Sequence, residues 1–178
     1  MESKTIFHTV EDRENIDYVE QNAPFKCKSK SAWLGEGYYF WDSSIDTAHW
    51  WGKQRYKSYL ICKTECSYKM DEMYDLYNNA KQRSEFREMT SLIKEKYSSK
   101  TVTVPFVIEY LKQNTKFPYK AIRAYAVNSN RNSSRLNFIE KNNAYLDLDP
   151  AIQICVIDKS ILDLPLKIIY PQGEEYTL

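Results

Sequence analysis

Between Leu34 and Gly52 the chain reads LGEGYYFWDSSIDTAHWWG, and no other stretch constrains the fold as strongly. Glycine occurs only four times in 178 residues, so Gly35 and Gly37, flanking one glutamate, are expected where the backbone needs them. Tyr38 to Trp41 has the aromatic density of a short strand. Asp42-Ser43-Ser44 then supplies N-cap candidates for a helix from Ile45 to about Lys53. In such a strand–cap–helix unit, Tyr39 at the strand end and Trp50 late in the helix can face each other across a slot. Thr47 lies one helical turn before Trp50. Two aromatic faces and a nearby hydroxyl suit a planar ring, and the paired glycines let a ligand approach the main chain. The same aromatic cluster, taken alone, also reads as plain core.

The rest of the chain alternates strand and helix patterns. Lys4–Val10 is β-rich, and the acidic segment after it carries Ile16 and Val19 at the spacing of one helical face, predicting a helix of about three turns. A Lys/Ser-rich loop with Lys26, Lys28 and Lys30 leads into the glycines. Tyr56–Thr64 alternates as a strand, and Asp71–Tyr77 is ambiguous. From Asn78 to Tyr97, Phe86, Met89, Ile93 and Tyr97 form one helical stripe, and Pro105 opens a second helix. Strands are expected at Tyr119–Val127, Ala151–Ile157 and Leu164–Tyr170, with an exposed polar loop over Asn128–Asn137. Uneven helical insertions between strands give an α+β class, read as one domain over 1–178 with a helical insertion at about 78–118.

Composition narrows the function classes. With 25 basic and 24 acidic residues the net charge is +1, so no global field draws the chain to nucleic acid or anionic lipid. There is no run of about 18 apolar residues to span a bilayer and no signal-peptide-like N-terminus, so the expectation is a cytoplasmic protein without membrane partners. The four cysteines, Cys27, Cys62, Cys66 and Cys155, have no zinc-site spacing and read as free thiols, and no metal site is expected. Walker, dinucleotide G-x-G-x-x-G, H-E-x-x-H and G-x-S-x-G patterns are absent.

The spacing of G-E-G-Y-Y-F, an acidic residue and then T-A-x-W resembles the G-x-G-x-Y-F…[ST]-A-x-[YW] signature of the ADP-ribosyltransferase superfamily, in its diphtheria-toxin-like and poly(ADP-ribose)-polymerase-like branch. Two shorter blocks fall in that family's order: F-H-T at His8, and the strand Ala151–Val156 with Gln153. The resemblance covers His8 to roughly Ile157 and leaves Asp71–Pro118 unaligned.

That resemblance implies a split antiparallel core of two facing sheets with NAD in the cleft between them. It implies that Tyr39 and Trp50 sandwich nicotinamide, Thr47 holds its carboxamide, and His8 anchors ribose hydroxyls. Gly37 belongs to the turn that admits the ligand. Thr9 stands where the family has a glycine whose backbone clamps the carboxamide. Gln153 stands where the family has a glutamate, and a neutral amide offers less electrostatic stabilisation to developing positive charge than a carboxylate. The implied activity is mono-ADP-ribosyl transfer from NAD to a protein or nucleic-acid acceptor, with His8, Tyr39 and Gln153 as the triad. By analogy with the family, the chain would be a toxin or phage-defence effector with an antitoxin partner. The alternative is a degenerate module that binds NAD, ADP-ribose or nucleic acid without turnover. Lys26, Lys28 and Lys30 read as a phosphate contact or a solvated loop, Arg123 as a phosphate ligand or ion-pair partner, and His49 as surface or supporting.

Overall fold

The computed structural model describes residues 1–29, 32–98, 101–125, 135–140 and 144–171. The protein is α+β: among these residues, seven strands form one mixed sheet, two more form a small ribbon, and four α-helices pack around them. In chain order the elements are β1 (Glu2–Glu11), α1 (Ile16–Asn22), β2 (Tyr38–Asp42), α2 (Ile45–Arg55), β3 (Tyr59–Tyr68), β4 (Met73–Asp75), α3 (Ala80–Lys96) and α4 (Val104–Asn114). There follow β5 (Ala121–Tyr125), β6 (Arg135–Asn137), β7 (Tyr145–Asp147), β8 (Ile152–Val156) and β9 (Lys167–Tyr170). The sheet order is β4-β5-β8-β2-β1-β3-β9; only β4 and β5 run parallel.

The two facing sheets implied by the resemblance are present instead as this single hydrogen-bonded sheet. Its weakest seam is β1–β2, where the ladder holds just two residue pairs, Ile6 with Asp42 and Phe7 with Trp41. On its other side β1 pairs with β3 along ten residues, Glu2 to Glu11. Strand β1 therefore stays with β3 and leaves β2 after Phe7. The sheet opens there, and the opening becomes the cleft.

Strand alternation sorts the side chains by face. Across the seam, Ala124, Gln153, Trp41 and Phe7 stand in one row, and Ile122, Cys155 and Tyr39 in the next row on the same face. Helix α2 covers the Phe7–Trp41 end of this face through Ala48, and α3 and α4 cover the Ile122–Cys155 end through Ile93, Val107, Ile108 and Leu111. The opposite face carries Ile6, Phe40, Ile154 and Val156, closed by Val19 of α1 and by Ile161 and Leu166. Each such aliphatic side chain taken fully from water contributes roughly 1.5–3 kcal/mol.

Local chemistry explains the helix starts. Ser44 caps α2, its Oγ accepting from the Thr47 N–H at 3.0 Å, and Asn79 caps α3 by accepting from Gln82 N–H at 3.1 Å. Proline in the first turn opens α4 as expected. The helices expected between about 78 and 118 are α3 and α4.

Several boundaries differ from expectation. Helix α1 spans only seven residues, because Pro24 follows directly on the C-cap Ala23 and cannot continue it. Strand β3 begins later and runs four residues past Thr64, held by its long ladder to β1. The ambiguous Asp71–Tyr77 resolves into a single 3-10 turn and the edge strand β4. Residues 128–134 of the expected polar loop lie outside the described residues, and Arg135–Asn137 forms β6, paired with β7. Among the described residues no helix is long and apolar enough to cross a membrane.

Candidate functional site

The opening between β1 and β2 continues into a cleft of about 1230 Å³. His8, Thr9, Tyr39, Trp50 and Gln153 all line it, together with Trp33, Trp41 and Trp51. Residues from four separated parts of the chain converge because β1, β2 and β8 meet at the seam and α2 folds back over it. Thr9 helps hold that helix, donating from Oγ1 to the Ala48 carbonyl at 3.1 Å.

His8 shares its face with Phe40, whose ring lies 5.2 Å away, whereas Tyr39 and Gln153 point from the other face. The two sets reach one cleft only because the seam has parted. The His8 ring is fixed at both nitrogens. The Phe25 N–H donates to Nε2 at 3.3 Å, so Nε2 is the acceptor and the ring proton sits on Nδ1, donating to the Tyr39 carbonyl at 2.8 Å. Burial lowers the His8 pKa, opposed by the bond to Tyr39, and holds the ring neutral.

The Tyr39 hydroxyl is likewise engaged. It donates to the Gly35 carbonyl at 2.7 Å and accepts from the Leu34 N–H at 3.0 Å. Burial first, then proximity to Cys155, raises its pKa, so Tyr39 stays a phenol. Gln153 is almost wholly buried, and its Oε1 accepts from the Trp33 indole N–H at 2.6 Å. One segment, Phe25 to Gly35, therefore bonds to all three residues of the sequence-derived triad.

Tyr39 and Trp50 do line the cleft, but the ring that meets Trp50 is Trp41, in an edge-to-face pair with centroids 6.2 Å apart. Trp51 adjoins both indoles, and the Arg55 guanidinium lies over Trp51 at 5.8 Å. Thr47 is fully buried and is not among the cleft-lining residues; its Oγ1 lies 2.8 Å from the Oγ of the capping Ser44. Gly37 also lies off the cleft wall, pressed against β8, where a Cβ would come within 2.8 Å of the Val156 carbonyl oxygen.

The remaining candidates are placed as follows. Arg123 is buried in an ion pair with Asp42 at 2.6 Å and Asp75 at 3.0 Å, which settles it as a structural cation. Lys26 lines the cleft and pairs with Glu36 at 3.2 Å; Lys28 is exposed, and Lys30 lies outside the described residues. His49 is half-buried against Tyr170, with Nδ1 3.0 Å from the Tyr59 hydroxyl. All four cysteines are free thiols, and burial pushes those of Cys62, Cys66 and Cys155 up to about 12. Among the described residues no group of three or more His, Cys, Asp or Glu is gathered to hold a metal ion.

Sequence reasoning passed over Trp33, Arg13 and the wall made by Phe86, Val104 and Tyr125. Trp33 carried one readable signal, an indole two residues before Gly35 at the end of a Lys/Ser-rich loop. Arg13 pairs with Glu11 at 2.6 Å near the mouth. Phe86 and Val104 show that α3 and α4 contribute to the cleft wall.

Chemically, the cleft is an aromatic slot whose central polar groups are mostly satisfied by the protein, with cations at its margin. Comparison with known proteins returned no matching family model, no similar characterised protein and no similar solved structure.

Proposed function

We propose that the cleft binds NAD and that the protein transfers ADP-ribose from it to a macromolecular acceptor, as the ADP-ribosyltransferases that its sequence resembles do. The observation that carries this reading is the convergence of His8, Thr9, Tyr39, Trp50 and Gln153 on one cleft of about 1230 Å³. These residues come from separate blocks of the sequence, and the motif blocks alone contain them all. In the reaction, the bond from the anomeric carbon to nicotinamide breaks and nicotinamide leaves with the electron pair. The acceptor supplies a new pair and loses its proton to solvent. Aromatic walls exclude water from the ring, and Gln153 contacts the ribose. The Arg13, Lys26 and Arg55 side chains at the margin suit a pyrophosphate, each already steadied by a neighbour. A role as a cytoplasmic toxin or phage-defence effector restrained by an antitoxin belongs to the same reading.

A second reading, binding without turnover, is favoured by one observation: Gln153 is a neutral amide already bonded to Trp33. It gives little charge stabilisation to a cationic transition state. The test uses NAD labelled in its nicotinamide ring, with binding followed by calorimetry and release by counting. Saturable binding with nicotinamide release, increased in Gln153→Glu, supports transfer. Binding without release in either protein selects the binding module, and no binding of NAD or ADP-ribose sinks both.

A further inference from the structure

We propose that Trp33 is a positioning residue that fixes the Gln153 amide, so that the cleft presents a hydrogen-bond donor at this point and reads an acceptor oxygen of its ligand. This rests on the reading of the cleft as an NAD-type site.

The argument begins with which atoms can bond. An indole N–H donates and has no acceptor capacity, so the partner 2.6 Å from Trp33 Nε1 must be the carbonyl end of the Gln153 amide. The amide orientation, ordinarily ambiguous, is therefore dictated by its neighbour. Its other end, Nε2, carries two hydrogens, and among the described residues nothing accepts from it. Gln153 lines the cleft, so this donor is what the β8 strand offers a ligand.

The neighbouring groups sharpen the consequence. Both His8 ring nitrogens are taken by backbone, the Tyr39 hydroxyl donates to Gly35, and the Thr9 hydroxyl donates to Ala48. Of these four side chains only Gln153, through Nε2, keeps a donor with no partner among the described residues. A carboxylate at this position would bond to Trp33 and still present an acceptor oxygen. The amide presents the opposite polarity. The group met here is accordingly an oxygen with a free lone pair, such as a ribose hydroxyl or carboxamide oxygen accepting from Nε2.

Trp33 can do this because its loop is itself held. The Leu34 N–H and the Gly35 carbonyl bracket the Tyr39 hydroxyl on either side, which sets the chain direction immediately after the indole. The indole packs with the cluster of Leu34, Tyr74 and Ile122.

The experiment is a double-mutant cycle read by NAD affinity, with Trp33→Phe, which keeps a ring and removes the N–H, and Gln153→Leu, alone and together. Trp33→Phe should weaken binding about fivefold and Gln153→Leu about tenfold or more, while the double variant binds no more than about twofold worse than Gln153→Leu. Losses that multiply would show that Trp33 acts by packing alone, and the proposal falls. A readout without ligand separates failure of this inference from failure of the NAD reading. The Trp33 indole proton resonance, identified as the one missing from Trp33→Phe, should shift upfield in Gln153→Leu. An unchanged resonance overturns the positioning role even where NAD binds. If NAD does not bind, a shifted resonance keeps the amide lock and discards the ligand.

Discussion

Trp41 and Trp50 meet edge to face at 77°, and this contact occupies the position where a ligand ring was expected to meet Trp50. Trp41 is 4% exposed and stands two residues beyond Tyr39 on the same strand face. The slot is therefore narrowed from within by the protein's own indole.

Replacing that indole tests both its packing and its blocking role. Truncation of a buried tryptophan leaves a cavity, so Trp41→Ala should cost about 3–5 kcal/mol in urea unfolding. The half-buried Trp50 should cost less when truncated in the same way. A cavity lined by aromatic rings accepts a planar apolar molecule, so added nicotinamide should raise the melting temperature of Trp41→Ala more than that of the parent protein. An equal shift in both proteins would show that Trp41 does not restrict the slot.

The His8 environment predicts a pH dependence of stability. Burial holds the folded-state pKa below the ordinary value of about 6.5. Below that value the unfolded chain binds more protons than the native state, so the native state loses stability as the pH falls through it and keeps its full stability above it. His49 is lowered too, by burial and then by Lys53, and acts with the same sign. Denaturant midpoints between about pH 7.5 and about pH 5 should therefore fall, by at most about 1.4 kcal/mol per proton per pH unit. His8→Gln, which keeps a donor for the Tyr39 carbonyl, should flatten most of this slope, whereas His49→Gln should flatten less of it.

Gly35 and Gly37 look alike in sequence and differ in cause. Gly35 has φ +85° with open space around it, so Gly35→Ala should cost roughly 1–2 kcal/mol from left-handed backbone alone. Asparagine, which enters that region more readily, should restore part of the loss there. Gly37 instead lies against Cys155 and the Val156 carbonyl, so Gly37→Ala should cost about 3 kcal/mol by overpacking and Gly37→Asn more. Thermal unfolding of the four variants distinguishes strain from collision.

The contrast also marks how much was legible in the sequence. The unit from Gly35 through α2 could be read because its signals are local: scarce glycines, aromatic density and the Ser44 cap. Strand β8 could be read from its apolar run. The α+β class and the late helices followed from periodicity. The β1–β2 seam could not be read, because a ladder two pairs long is decided by how strongly β3 holds β1 some fifty residues away in sequence. The same limit hid Trp33, whose indole bonds to a residue 120 positions away. It also hid that Trp41, not a ligand, would meet Trp50, since rings on a strand and a helix make contact only after the helix has docked.

Arg123 offers a test of the side of the sheet away from the cleft. Its guanidinium is 5% exposed and bonds through Nε and Nη2 to the Asp42 carboxylate, itself 2% exposed, and through Nη1 to Asp75. Lys4 also pairs with Asp42, at the longer distance of 3.7 Å, and is the more exposed partner. Arg123→Met keeps the length of the side chain and leaves Asp42 buried without its main partner, so it should destabilise the protein by about 3–5 kcal/mol. Asp42→Asn in the same chain removes the orphaned charge and should recover part of that loss. Asp42 ends β2 opposite Ile6, next to the Phe7–Trp41 pair of the seam, so the weakened ion pair should also speed amide exchange at Phe7, whose N–H faces β2. If the single variant unfolds at the parent's urea midpoint, the ion pair contributes nothing net. If exchange at Phe7 is unaltered while the midpoint falls, the ion pair stabilises the sheet without guarding the seam.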